Sequence, residues 1–247
     1  MNKAVEEQPI RPAATVIIVR PAYPQYEILM LRRTQSAVFA GGMYVFPGGK
    51  IDDADQDPRL QPHLSELLPE QIHQRAALGD QWQACWVAGI RETFEEAGIL
   101  LAYHAEGQMV STEAAKLSAA REQLHQGQTD LLTFCIENQL TLALDQIHFF
   151  NRWVTPPGRP RRFDTRFFVT QAPTHQEHGH DGSETIDSVW ISPREALSLN
   201  QQDRFGMMRV TIKQLETLNA YSSVDALMKM IKAQVTFEHH KPTLVGQ

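Results

Sequence analysis

The chain has 247 residues, 42% of them apolar, and carries 29 Asp and Glu against 23 Lys and Arg for a formal charge of −6. That negative surplus disfavours a general grip on nucleic acid, whose phosphates must be met by a basic face. Fourteen Gly and 14 Pro are too few for a low-complexity or collagen-like chain. The length fits one elaborated α/β domain, so residues 1–247 are expected to share a single core.

The start, expected to be mobile, lacks the apolar stretch of a secretion signal, and no run approaches the roughly 18 apolar residues of a membrane span. Val245-Gly246-Gln247 is not a peroxisomal address. Cys85 and Cys135 fall in segments that read as helices and are expected to be buried, unpaired thiols. The expectation is a soluble cytoplasmic protein with no membrane partner and no nucleic-acid partner.

Residues 13–19 and 26–31 are β-branched or apolar runs separated by Pro21 and Pro24, which predicts two strands around a turn. A short strand over 43–46 runs into Pro47-Gly48-Gly49. Residues 52–79 are polar and Pro-punctuated, weakly helical at best, whereas 82–99 carries Trp82, Trp86, Ile90, Phe94 and Ala97 at near-helical spacing. That helix ends at Gly98 as a C-cap, and an apolar run follows over 99–103.

Residues 111–126 and 129–140 read as two helices, then 147–154 and 163–170 as strands joined by a basic, Pro-rich connection. Residues 172–185 form a polar loop with three histidines, 186–191 a strand, and Ser192 caps a helix from Pro193. Two amphipathic helices fill 207–232. His175, His178 and His180 have no Cys nearby and read as members of the loop rather than a metal site.

The most informative stretch is Arg91-Glu92-Thr93-Phe94-Glu95-Glu96-Ala97-Gly98-Ile99. At about 100° per residue, Glu95 and Glu96 lie roughly 60° and 40° either side of Glu92, so three carboxylates share one helix face. Hard oxygens at that spacing suit Mg²⁺ or Mn²⁺. Taken alone the triplet also reads as a solvated face with an Arg91–Glu95 pair. The glycine turn upstream, able to offer backbone N–H groups to phosphate, favours the cation.

These residues resemble the Nudix hydrolase family, whose box runs Gly, five residues, Glu, seven residues, then Arg-Glu-aliphatic-any-Glu-Glu-any-Gly-aliphatic. Arg91, Glu92, Glu95, Glu96, Gly98 and Ile99 match the second half, with Thr93 in an aliphatic slot. Gly49 opens the first half, but Asp55 stands where Glu is usual, and Arg occurs at 91 instead of 63. The box is split by an insertion of about 28 residues, about 56–83, which an exposed loop could absorb. Split boxes of this kind resemble the branch that includes the mammalian peroxisomal coenzyme A diphosphatase.

The resemblance implies an α/β (α+β) Nudix fold, a mixed β-sheet sandwiched between helices in an α/β/α arrangement, with a C-terminal helical extension over about 207–235. It implies Mg²⁺-dependent (or Mn²⁺-dependent) hydrolysis of the diphosphate linkage of a nucleoside diphosphate derivative. Glu92, Glu95, Glu96 and a loop acid, Glu184 in preference to Glu177 or Asp181, would hold metal. Glu95 or Glu96 would orient or deprotonate the attacking water, and Arg91 would position Glu95. Gly48, Gly49, Arg33 and Arg162 would contact substrate.

A coenzyme A signature is matched at Leu29, Arg33, Gly42 and Phe46 to Gly49, but Leu31, Thr34 and Val38 depart from it. Coenzyme A or acyl-coenzyme A therefore leads. ADP-ribose, NADH and a catalytically silent nucleotide-binding module stay open, as does a homodimer.

Overall fold

A computed structural model describes residues 8–37, 40–111, 114–182 and 184–241. The expected mobile start, Val38 in the coenzyme A signature, and Val245-Gly246-Gln247 lie outside the described residues.

In chain order the strands are β1 (Ile10–Arg20), β2 (Glu27–Arg33), β3 (Tyr44–Val45) and β4 (Gly48–Lys50). Helices α1 (Ile72–Leu78) and α2 (Trp82–Ala97) follow, then β5 (Ala102–Tyr103), α3 (Ala114–His125), α4 (Leu131–Asn138) and β6 (Thr141–Leu142). The second half holds β7 (Ile147–Val154), β8 (Arg162–Gln171), β9 (Thr185–Ile191), α5 (Pro193–Gln201), α6 (Arg209–Leu218), α7 (Val224–Ala233) and β10 (His239–His240).

The main sheet runs β10-β7-β8-β1-β2-β3 and is mixed. β1 and β8 are parallel from Ile10↔Arg162 to Val19↔Gln171, while β7 against β8 and β9 against β2 are antiparallel. Alternation along β1 sends Ala14, Val16 and Ile18 to one face and Ile17 and Val19 to the other. Both faces are covered, which is why the strand reads as one continuous apolar run.

On the first face α2 brings Trp86 against Phe168, and Phe134 of α4 stacks on Phe94. The Trp86 indole N–H donates to Ile147 O at 2.8 Å, so its polar atom is satisfied inside the core. On the opposite face Leu215 and Leu218 of α6 and Leu227 and Ile231 of α7 pack on Ile17, Met30 and Val169. The expected α/β/α sandwich and the C-terminal helical layer are borne out.

The edge of β1 away from β8 forks. β2 pairs with it only at Val19 and Arg20, and β4 pairs with Ala13, Ala14 and Thr15. The expected glycine turn is thus a short strand, held in addition by Val16 N–H donating to Pro47 O.

The insertion is a second correction. It is a packed run of 3₁₀ turns at Asp53–Gln56, Pro58–His63 and Pro69–Gln71 followed by α1, not an exposed loop. Leu60 and Gln74 are fully buried. Gln71 donates its side-chain amide to Leu144 O and Ile147 O, and Gln74 accepts from Phe149 N at 2.7 Å beside the bulge in β7. The two glutamines complete backbone hydrogen bonds that the sheet leaves open there.

Candidate active site

Helix α2 lies across β1 and ends as expected. Gly98 takes φ +70°, a left-handed conformation that costs a glycine nothing, and its N–H donates to Phe94 O at 3.0 Å. The last turn and a half therefore projects Glu92, Glu95 and Glu96 beside β4 in a fixed register.

Arg91 organises the acids from beneath. Its Nε–H and one Nη2–H donate to the two carboxylate oxygens of Asp55 at 2.8 and 2.9 Å, and Nη2 also donates to Lys50 O at 2.8 Å. Nη1 donates to Glu92 Oε1 at 2.9 Å and to Glu95 Oε2 at 3.2 Å. Burial works against the guanidinium charge, but Asp55, Glu92 and Glu95 outweigh it and hold it protonated. Arg91 thus contacts Glu95, as the expected pair requires, and Glu92 as well, and is itself buried.

Asp55, noted in the sequence only as a departure from the usual Glu, was given no role there. It stands in the box's glutamate slot with a side chain one methylene shorter, and the packed insertion carries it close enough for a bidentate pair. Its place six residues after Gly49 was the available signal.

Glu96 accepts from Gly48 N at 2.9 Å and lies 3.9 Å from Arg33 Nη1. A Cβ on Gly49 would fall 2.5 Å from Glu92 Oε1, so only glycine permits this approach of strand to carboxylate. Arg33 Nη2 also donates to Glu184 Oε2 at 3.3 Å, which brings the loop acid to the same cluster. Arg33 Nε is buried without a hydrogen-bond partner.

Burial pushes the Glu92 carboxyl up to about 7, with Arg91 pulling it down and Glu95 pushing it further up. Glu96 is raised well above the usual range by burial and by Glu92, against the Gly48 N–H and Arg33. Glu95 is raised by burial, with Arg91 opposing. Such a set of crowded hard oxygens is short of positive charge, and a divalent cation fits it. Among the described residues the acids are not drawn into a ready group of three ligands, because Arg91 engages two and Gly48 the third.

The structure does not bring Arg162 to this cluster. It pairs with Ile10, four residues before the Ala14 that faces Gly49, which is about 13 Å along the strand. There it lines a separate cavity of about 370 Å³ with Arg152, Asp164 and Lys241, and its Nε–H donates to Thr155 O. Asp181, weighed as a loop acid, holds the turn that presents Glu184, accepting from Glu184 N and from Thr185 Oγ1. His178 accepts from Trp190 Nε1 at 3.0 Å, consistent with a loop role for the histidines.

The NUDT19 Nudix domain model matches residues 61–208, more than half of the chain, and spans Arg91 through Glu184. The chain belongs to the NUDT19 Nudix family. It is 26% identical over 239 residues to the acyl-coenzyme A diphosphatase NUDT19 of Xenopus laevis, covering 83% of this chain and 63% of that protein. To the human protein of the same name it is 28% identical over 209 residues, covering 71% and 56%. The chain thus spans less than two thirds of the length of these curated relatives.

A crystal structure of a Nudix hydrolase from Alicyclobacillus acidocaldarius is similar to it with a TM-score of 0.79 and 28% identity, covering 95% of this chain and 99% of that one. The Nudix fold expected from the split box is therefore shown. Among the described residues no helix is long and apolar enough to cross a membrane.

Proposed function

We propose that this NUDT19-family chain, taken as one domain over residues 1–247, hydrolyses the diphosphate linkage of a nucleoside diphosphate derivative with the help of Mg²⁺ or Mn²⁺. The observation that carries the proposal is Glu92 and Glu96 against the Gly48–Gly49 strand, with Glu95 tied to Glu92 through Arg91, which Asp55 locks from behind. Glu92, Glu95, Glu96 and Glu184 would hold the ion, which when bound neutralises diphosphate charge and makes water more acidic.

The chain's own groups supply the rest. A Glu95 or Glu96 carboxylate oxygen accepts the proton of the attacking water; the water oxygen bonds to phosphorus and the bridging P–O bond breaks, leaving two phosphomonoesters. Arg33, whose Nη groups lie beside Glu96 and Glu184, would bind a phosphate oxygen through its outer N–H groups. Arg91 keeps two of the acids in register and takes no part in proton transfer, being paired on every side.

Coenzyme A and acyl-coenzyme A are the leading substrates, supported by the names of the relatives and by Arg33, Gly42 and Phe46–Gly49. A panel of coenzyme A, acyl-coenzyme A, ADP-ribose and NADH with Mg²⁺, read by product mass, tests the proposal. Turnover of a coenzyme A substrate is expected, and Glu95→Gln or Glu96→Gln should lower it about 10²–10⁴-fold with the fold intact. Tight binding without turnover of any member would replace the hydrolase with a nucleotide-binding module.

A further inference from the structure

The acid that reaches the cluster from outside α2 comes on the loop between β8 and β9, so whatever fixes that loop fixes Glu184. Gly179 N–H donates to Ala97 O at 3.0 Å, joining the loop to the end of α2. Gln176 accepts from Leu100 N and donates to Leu100 O and Val110 O. Five residues on from Gly179, Thr34 N–H donates to Glu184 O at 3.0 Å and Arg33 holds the Glu184 side chain.

One side chain from a third element closes this arrangement. Arg121 of α3 donates Nε–H to Glu95 O at 2.9 Å and Nη2–H to Gly179 O at 2.8 Å. A cation against the terminal carbonyls of α2 is also favourably placed in the helix dipole. A Cβ on Gly98 would lie 3.1 Å from Arg121 Nη1, so the bare glycine leaves room for the guanidinium. Burial lowers the Arg121 pKa while Asp181, Glu122 and Glu96 act to raise it.

We infer that Arg121 is a positioning residue: by clamping Gly179 to the last turn of α2 it sets where Glu184 stands relative to Glu96. This rests on the metal-site reading given above, in which Glu184 is the fourth acid. Arg121 bonds only main-chain carbonyls, Glu95 O and Gly179 O, and its effect on Glu184 runs through the loop. Removing it leaves Gly179 held to α2 only by its own N–H to Ala97 O, while β1, β8 and α2 keep their packing.

Two measurements on the full chain test this. Amide exchange should show the Gly179 N–H losing protection in Arg121→Gln while amides of β8 such as Phe168 and Val169 keep theirs. Mn²⁺ titration without substrate should show an affinity about tenfold weaker in Arg121→Gln, the size usual for a lost outer partner of a metal ligand. In a Glu184→Gln background the same substitution should change affinity less than about twofold.

Equal effects of Arg121→Gln in both backgrounds, or unchanged protection at Gly179, overturns the inference. If Arg121→Gln does not fold, Arg121→Lys serves, since one ammonium cannot hold both carbonyls, and it should weaken Mn²⁺ binding by a smaller factor that again disappears with Glu184→Gln. Glu95→Gln separates the two readings. Wild-type Mn²⁺ affinity in that variant sinks the metal site itself, whereas weakened affinity with no Arg121–Glu184 coupling sinks only this inference.

Discussion

Asp55 and Arg91 sit 36 residues apart, yet each has its best partner in the other. Asp55→Ala leaves a buried guanidinium with Lys50 O, a more distant Asp52 and the acids meant for other work, and breaking such a pair from one side costs about 3–5 kcal/mol. Urea unfolding should show that loss. Asp55→Glu should recover most of it, since the added methylene restores the residue usual at this place in the box; a full loss with Glu would show that the packed insertion fits only the shorter side chain.

His148 makes a separate residue-scale prediction. It is buried on β7 with Nδ1 lacking a partner, and burial followed by Lys232 lowers its pKa to about 4. The unfolded chain therefore binds this proton at higher pH than the folded one, so the stabilisation is complete above about 6.5 and is lost as pH falls toward about 4. His148→Gln should melt at a temperature that falls less steeply across that window. Equal slopes for the two proteins would remove His148 as the cause.

At the scale of elements, α2 and β1 were legible because strong local patterns agree with their tertiary roles: apolar helical spacing closed by Gly98, and the apolar run from Val16 to Val19. β4 was not legible as a strand. Gly48-Gly49-Lys50 has no β propensity, and it is extended only because β1 offers a partner and the glutamates need a close backbone. The insertion was opaque for a similar reason, since Gln71 and Gln74 are ordered by carbonyl and amide groups about 75 residues away. Gln74→Ala should therefore cost about 1–3 kcal/mol by stranding Phe149 N–H, seen as a lower denaturation midpoint. A neutral result would mean water or another side chain takes over.

Of the candidate site, Arg91, Glu92, Glu95 and Glu96 were readable from one contiguous half of the motif, Gly48 and Gly49 from its separated first half, and Arg33 and Glu184 from position relative to it. Arg121 left no such trace, because its partners are main-chain carbonyls on two other elements. Arg162 shows the opposite failure, a basic residue beside a family-like stretch that the parallel register of β1 and β8 carries elsewhere.

At the scale of the molecule, the sheet separates the acidic cluster from the α6–α7 layer, so charge bound on one side is felt as stability of the whole. Mn²⁺ or Mg²⁺ at about 100 times its dissociation constant should add about 2.7 kcal/mol to the folded state. Thermal melts should rise accordingly in wild type and much less in Glu92→Gln. An equal rise in both would place the ion at some other locus.

The forked edge of β1 gives the acids an unusual footing. Gly48 spends its amide on Glu96 in the very segment through which β4 grips the strand at the centre of the sheet. Local fluctuation of that floor would have to unzip backbone pairing that the rest of the protein relies on, and such openings draw on nearly the full unfolding free energy. Durability is thereby concentrated under the chemistry.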